Sequence, residues 1–495
     1  MTDAEEAEVT AWFGQRAERT IETACARVFL TGDTAFKVKR RVELGYLDYS
    51  TLDLRHWALE RELRFNRAAT SDIYRAVRRV TRAADGGLEL DGAGAVVEFA
   101  LEMRRFDESF VLAARPWAVD GALAEAMGRE VAGVHARATV RPQGGGGKAL
   151  KFTIDSNAKL IRELAPRLGE ARVEALIAAT DAEYFRREAL LDARREASFA
   201  RHCHADLHLG NILLEDGKPV LFDCIEFNDV LSDIDIQYDL AFLLMDLDFR
   251  RRRDAAVRVL SAYLDEAGRS FGPGLREGLA ALPLMLSVRA GVRTHVQAHS
   301  GDDEAASAYL DAALAHLSPP APKLTAVGGL SGSGKSTFAR LIAPGLGASP
   351  GAVVLRTDEI RKRLMNIPPT TAMDSSNYTA EFYARTYDTM VDNARAALKA
   401  GRSVVLDATF IDPELRGRVE ALAVECGVPF RAAWMDAPVE VLESRVAGRT
   451  GDASDATVAV LHDQVTRLKD MPLWPRVDAQ APTGHAARAW NDSAS

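Results

Sequence analysis

The stretch from His202 to Asn211 reads HCHADLHLGN and carries two kinds of donor. Imidazoles and a thiol suit zinc, whereas carboxylate and amide oxygens suit a hard cation such as magnesium. A closed zinc site needs four ligands at workable spacing, and no CxxC or second histidine pair follows Cys203. The oxygen donors are better arranged. Asp206 stands five residues before Asn211. The apolar run Ile212-Leu213-Leu214, the turn Glu215 to Pro219 and the run Val220-Leu221-Phe222 then deliver Asp223. That pattern predicts a hairpin ending in a second acid. One acid to take a proton, with an amide and an acid to hold a divalent cation, is the equipment of phosphoryl transfer.

The Asp-to-Asn spacing equals that of the kinase catalytic loop H-R-D-x-x-x-x-N, and such a loop needs a nucleotide cradle upstream. Arg27 to Leu30 and Ala35 to Lys39 read as two strands around the turn Thr31-Gly32-Asp33-Thr34. Alternation puts Ala35, Lys37 and Lys39 on one face. Ala35-x-Lys37 has the A-x-K spacing of the kinase strand lysine, with Lys39 as the fallback. The helix expected from Arg55 to Arg67 offers Glu62 as the ion-pair partner, with Glu60 as the alternative. The strand Val96 to Met103 would run into a hinge, placing Met103 beside adenine. A lone strand lysine or helix glutamate is usually only solvated; here the order of the set carries the reading. These residues resemble the aminoglycoside phosphotransferase and choline kinase-like family, whose loop usually reads HGDLHxxN. This chain departs at Ala205, where the family has glycine. The resemblance implies a bilobal protein-kinase-like fold that binds ATP and Mg2+. Lys37 would hold phosphates, Asp206 would meet an acceptor hydroxyl, and Asn211 and Asp223 would hold magnesium. His204 and His208 are then scaffolding, and Asp239 is expected to cap the following helix.

A second set lies downstream. Gly329-Leu330-Ser331-Gly332-Ser333-Gly334-Lys335-Ser336 satisfies G-x-x-x-x-G-K-[ST] between an expected strand, Leu324 to Val327, and a helix starting near Ser336. Glycines let backbone N–H groups turn inward around phosphates, and the helix N-terminus favours anions. Lys335 would act on the β- and γ-phosphates, Ser336 would ligate magnesium, and Thr337 completes the cofactor-binding run. Strands expected at Ala352 to Leu355, Ser403 to Leu406 and Phe430 to Trp434 alternate with helices, which gives a doubly wound parallel sheet. Functional residues then belong near strand C-termini. Asp407 is the Walker B-like metal residue, Asp358 the acid facing the acceptor hydroxyl, and Arg361, three residues on, its neighbour at the substrate. Arg445 and Arg449 are read as lid arginines on one helix face. From Lys323 to Trp474 the chain resembles P-loop kinases of the polynucleotide kinase, zeta-toxin and gluconate kinase group.

The elements that position these residues divide the chain. With 495 residues it has room for two or three domains. Ser318-Pro319-Pro320-Ala321-Pro322-Lys323 reads as a stiff linker. The expected division is a phosphotransferase domain over 1–317, the linker over 318–323, a P-loop domain over 324–480 and a disordered tail over 481–495. Gln143 to Gly147 is a second loose stretch, joining subdomains or forming a mobile loop. Hydrophobic residues at 47% and charged ones at 27% are ordinary for a globular chain. A net charge of -9 speaks against a globally basic nucleic-acid binder. Four cysteines without metal or redox spacing fit a reducing cytoplasm. The acidic N-terminus is no signal peptide, and no apolar run reaches membrane-helix length. The expectation is a cytoplasmic, bifunctional enzyme with two ATP/Mg2+ sites, phosphorylating small hydroxylated acceptors, with no membrane partner and with nucleic acid a disfavoured but open alternative. Two rivals are a P-loop kinase regulated by a ligand-binding pseudokinase domain, and a polynucleotide 5′-hydroxyl kinase.

Overall fold

The structure, a computed structural model, describes residues 3–44, 47–69, 72–369, 371, 373, 379–448 and 454–492. Two compact units emerge. The first comprises Met1–Ala118, Thr139–Gly145 and Ala200–Ile234, and the second Val119–Ala138, Gly146–Phe199 and Asp235–Ser495. The division does not fall at residues 318–323, which are irregular and join the helix Asp303–His316 to the next strand.

The first unit is built on an antiparallel sheet. Its strands are β1 (Arg19–Glu22), β2 (Ala26–Thr31), β3 (Thr34–Lys39), and, beyond a short hairpin of β4 (Glu43–Leu44) and β5 (Leu47–Asp48), β6 (Tyr74–Arg82), β7 (Leu88–Leu90) and β8 (Val96–Arg104). The sheet order is β1-β2-β3-β8-β6-β7. Strand alternation sorts the faces. Phe29, Val38, Val80 and Ala100 pack with Val9 and Phe13 of the helix Asp3–Gly14. Leu101 and Tyr74 instead pack with Leu59 of the helix Leu52–Ala69. Lys37 and Lys39 therefore face the second helix, as the alternation predicted. A ribbon of β9 (Ala200–His202) and β12 (Asp233–Asp235) flanks the hairpin β10 (Ile212–Glu215) and β11 (Lys218–Leu221).

The second unit combines helices with a parallel sheet of β13 (Leu324–Gly328), β14 (Val353–Arg356), β15 (Val404–Asp407), β16 (Phe430–Asp436) and β17 (Arg476–Asp478). The order β14-β15-β13-β16-β17 puts the P-loop strand in the middle, with β17 an addition to the expected four. All four residues of β14 and of β15 are buried, as expected where both faces are covered. Ser261, on the helix Arg253–Ala267, accepts a hydrogen bond from the Val354 N–H of edge strand β14 at 3.1 Å, which blunts that edge.

Two sequence expectations are corrected. The tail is not disordered through its length, because Thr483–Asp492 forms a helix. Ala487 and Trp490 share its inner face at three-residue spacing and join the core beneath the P-loop helix, where Trp490 meets Phe338 edge-on at 5.9 Å. Gly146 and Gly147 begin the helix Gly146–Glu163 rather than lying in a loose loop. A side chain at Gly146 would meet Asp192 Oδ1 at 2.7 Å, and the Gly147 N–H donates to that oxygen at 3.1 Å.

Candidate active sites

In the first unit, Lys37 Nζ donates to Glu62 Oε1 and to Asp223 Oδ1, both at 2.7 Å. The expected partner Glu62 is thus confirmed in contact, and the fallback lysine is engaged as well. Lys39 Nζ lies 2.7 Å from Glu62 Oε2 and 2.5 Å from Glu226 Oε1. Tyr49 donates its hydroxyl to Glu226 at 2.8 Å. Burial alone would raise the Glu62 carboxyl, but Lys37 and Lys39 outweigh it and hold that group well below the usual range. Burial opposes charge on Lys37 too, yet Asp223 and Glu62 push its pKa up, so the ammonium stays protonated.

The loop at 202–211 is organised by its histidines. His204 donates from Nε2 to the Phe222 carbonyl at 2.8 Å, and its carbonyl accepts from the Ile225 N–H at 3.0 Å. His208 Nδ1 accepts from the Gly210 N–H at 3.0 Å. His202 pairs with Asp233 at 2.8 Å and packs on Phe65. Asn211 donates from Nδ2 to both the Asp206 carbonyl and Asp206 Oδ2 at 2.9 Å, which orients its own amide oxygen as an acceptor or metal ligand. The hairpin brings Asp223 to Lys37, and the backbone N–H of Asp223 donates to the Tyr74 hydroxyl at 2.9 Å. Asn66, one turn beyond Glu62, accepts from the Cys224 N–H at 3.1 Å. Ala205 adopts φ 69° and Asp223 φ 59°, both in the left-handed region.

An apolar cleft of about 210 Å³ opens beside this cluster, with Val28, Ala35, Met103 and Phe222 as walls and Lys37 and Asp223 at its polar end. Met103 pairs in register with Ala35 and lines the cleft. Glu60 is not a partner of Lys37; it pairs with His56 at 3.5 Å. Sequence reasoning missed Glu226, Tyr74 and Asn66. Glu226 lies only three residues past Asp223, but nothing in its spacing advertises a lysine partner from β3. Asp239 does not cap a helix. Asp235 is the N-cap of Ile236–Phe249, whereas Asp239 receives His135 at 3.0 Å in a buried pair.

In the second unit the P-loop follows β13. Gly329, Gly332 and Gly334 have φ 147°, 84° and 79°. A side chain on Gly329 would sit 2.6 Å from Ser333 Oγ, so glycine is required there. Lys335, Ser336 and Thr337 open the helix Lys335–Ile342, and the Ser331 N–H is held by Gln464 at 2.8 Å. Asp407 ends β15, in register with Val327 of the P-loop strand. Asp358 lies in the first turn of Thr357–Leu364, and Arg361 donates to it at 2.8 Å. Burial would raise the Asp358 carboxyl; Arg361, Lys335 and Arg356 together hold it low. Asp407 keeps one carboxylate oxygen, Oδ1, buried and without a hydrogen-bond partner among the described residues. With the Ser336 hydroxyl nearby, that donor set fits a hard divalent cation. Arg356, which sequence reasoning passed over, bridges Asp407, Ser336 and Glu359. Of the two expected lid arginines, Arg445 is exposed and donates to the Ala479 carbonyl at 2.9 Å. Arg449 lies outside the described residues.

Both arrangements match known families. Residues 58–278 match the phosphotransferase enzyme family, and residues 324–471 match an AAA domain. The protein is a kinase, a mixed α/β enzyme in which a phosphotransferase domain precedes a P-loop kinase domain. Uncharacterized proteins of Mycobacterium tuberculosis and Mycobacterium bovis are 32% identical over 502 residues, covering 95% of this chain and 95% of theirs. The chain belongs to their family. An adenylyl-sulfate kinase of Myxococcus xanthus is 32% identical over 117 residues, 24% of this chain and 59% of that protein. Among solved structures, a sugar kinase from Janibacter sp. covers 34% of this chain and 92% of its own at 20% identity and a TM-score of 0.26. A gluconokinase from Sinorhizobium meliloti covers 35% and 93% at 22% identity and a TM-score of 0.24. Among the described residues no helix is long and apolar enough to cross a membrane.

Proposed function

We propose that the protein is bifunctional, with one ATP site in each unit, each moving a γ-phosphoryl group to the hydroxyl of a small molecule. The observation that carries this reading is Lys37, held at 2.7 Å by both Glu62 and Asp223 at the polar end of an apolar cleft. A domain kept only as a binding fold would not need that set. In the first site, Glu62 orients Lys37 toward the phosphates, and Asp206 receives the proton of the acceptor hydroxyl. Magnesium, held by the Asn211 amide oxygen and Asp223, supplies neutralisation of phosphate charge when bound. In the second, the backbone N–H groups of 329–334 and Lys335 cradle the phosphates, Ser336 and Asp407 provide the metal donors, and Asp358 orients the acceptor with Arg361 beside it.

A second reading, in which the first half regulates the P-loop kinase, draws support from the helix Arg253–Ala267. It lies in the segment matching the phosphotransferase family and is hydrogen-bonded to β14 through Ser261. Calorimetric titration with ATP separates the two. Bifunctionality predicts two nucleotides per chain, with Lys37→Ala and Lys335→Ala each removing one. Mass spectrometry of a metabolite extract incubated with ATP should then show product lost with Asp206→Asn and a different product, or a later step, lost with Lys335→Ala. An Asp206→Asn protein with every product intact would favour regulation.

A further inference from the structure

Arg356 closes β14 and is buried, with only 3% of its surface exposed. Its Nε donates to Asp407 Oδ2 at 3.0 Å, one terminal nitrogen to Ser336 Oγ at 3.3 Å and the other to Glu359 Oε1 at 2.8 Å. Ser336 and Asp407 are the two side chains that a P-loop offers to its metal. The guanidinium thus lies among the oxygens that a hard cation would take. Magnesium requires oxygens at about 2.0–2.1 Å in near-octahedral geometry. A metal taking Asp407 Oδ1, which has no hydrogen-bond partner among the described residues, together with Ser336 Oγ would sit directly against the guanidinium that holds Asp407 Oδ2 and Ser336 Oγ. Two cations that close in a buried place repel strongly.

The arginine is one end of a longer chain of charges. Glu359 Oε1 also lies 3.6 Å from Arg340, Arg340 lies 2.7 Å from Glu125, and Glu125 lies 3.0 Å from Arg258. Three arginines (258, 340, 356) alternate with three acids (125, 359, 407), and a fourth, Arg129, lies 3.6 Å from the other oxygen of Glu125, so Glu125 is the acid on which three arginines converge. Five of the six alternating residues line a cavity of about 20 Å³, too tight to solvate several charges. Burial and the neighbouring Arg356 push the Arg340 pKa down. Glu125 sits on the helix Gly121–Arg137 and Arg258 on the helix Arg253–Ala267. Both helices lie in the segment that matches the phosphotransferase family, whereas the other four residues belong to the P-loop kinase segment.

We infer that Arg356 is an internal counter-cation of the P-loop site, displaced from Asp407 toward Glu359 as magnesium nucleotide loads, and that Glu125 sets how readily the displacement occurs. The inference rests on the P-loop part of the reading above. Before the metal arrives, Arg356 keeps the Asp407 carboxylate neutralised in a buried place where an uncompensated charge is costly. The incoming cation takes over that task, and the guanidinium retains Glu359. Removing Glu125 adds one further unit of positive charge to the chain, which opposes an incoming cation.

The test uses the full chain carrying Lys37→Ala, so that the first site does not report. Binding of a fluorescent ATP analogue is measured in EDTA and then across a magnesium titration. Arg356→Gln is expected to lower the half-maximal magnesium concentration about tenfold, and Glu125→Gln to raise it about threefold, within the usual range of coupling between sites. Arg356→Lys, which keeps the charge, is expected to retain most of the wild-type requirement and controls for misfolding. An unchanged or raised magnesium requirement in Arg356→Gln overturns the counter-cation, and an unchanged one in Glu125→Gln overturns its control by that residue. Analogue binding that Lys335→Ala does not weaken overturns the nucleotide reading of the P-loop itself, and this inference with it.

Discussion

In the first unit a lysine is held by acids, whereas in the second an acid is held by an arginine. Lys37 sits between Glu62 and Asp223, and the Asp223 side chain is 46% exposed at the mouth of an apolar cleft. Asp407 is 3% exposed and closed over by Arg356. An exposed ion pair is readily exchanged for a ligand, because water and counterions already compete for it. A buried pair gives way only when something of equal charge replaces its partner. On the proposed two-site reading, the first site is assembled for nucleotide, while the second holds its metal donors against an internal cation. On that reading two sites with similar chemistry are not equally ready to start it.

The largest effects should separate the sites completely. Asp206→Asn is expected to lower first-site product formation by about 10²–10⁴-fold, the usual worth of a general base, with second-site product unchanged. Lys335→Ala should do the converse, abolishing the second product while the first persists. Quantifying both products in parallel reactions checks the pair. Loss of both from either substitution would mean the sites act in sequence on one molecule.

Next in size is the stability of the charge cluster beneath the first site. Glu62 is fully buried between Lys37 and Lys39. Glu62→Gln removes the carboxylate in contact with both ammonium groups and should cost about 3 kcal/mol, the range for a broken buried pair. Denaturant unfolding, followed with and without ATP, measures it. The sign of the pH dependence follows from the lowered Glu62 pKa. A depressed carboxyl contributes stability above its ordinary value of 4.5, and that contribution fades as pH falls toward the lower folded value. Wild type should therefore lose stability on acidification below about pH 4.5, and Glu62→Gln should lose less over that window.

The second unit is expected to respond to a residue far from its charges. Trp490 packs against Phe338 of the P-loop helix, and Arg431 lies over its ring at 4.2 Å. Trp490→Ala should cost about 3 kcal/mol, at the lower end for a large aromatic because the ring is at the core's edge. Nucleotide protection against unfolding should weaken at the P-loop site while the first site keeps its own.

How legible each site was follows from the same contrast. The P-loop was readable because its residues are contiguous, the glycines demanded by backbone geometry and the lysine and serine by phosphate and metal chemistry. The first site was readable as an order of residues: strand alternation offered Lys37, a helix Glu62, motif spacing Asp206 and Asn211, and hairpin patterning Asp223. Arg356 was not readable. A single arginine at a strand end has no periodic signature, and its partners Ser336, Glu359 and Asp407 come from three separate elements. Lys39 and Glu226 meet across 187 residues, and no local rule pairs them. The helix Thr483–Asp492 hid for a different reason: among its residues with described burial only Ala487 and Trp490 are buried, in a run of small and polar residues, too few to raise a hydrophobic pattern.

The smallest effect concerns Ala205, the departure from glycine in the catalytic loop. Its φ of 69° is one that a Cβ disfavours, by about 1–2 kcal/mol. Glycine would relieve that strain, yet it would give back about 0.5–1 kcal/mol in unfolded-state entropy. It would also forfeit the methyl group, which is 1% exposed and worth about 0.8 kcal/mol on burial. The terms nearly cancel, so Ala205→Gly should shift stability by less than about 1 kcal/mol and leave nucleotide affinity unchanged. Ala205→Val, whose branched side chain cannot share the left-handed region, should instead destabilise by more than about 2 kcal/mol, since it overpacks a closed site as well. Denaturant midpoints of the two variants decide the point. A marked gain from glycine would mean that the loop is strained in the resting enzyme. A near-neutral result would mean that alanine suffices because its buried methyl offsets its backbone.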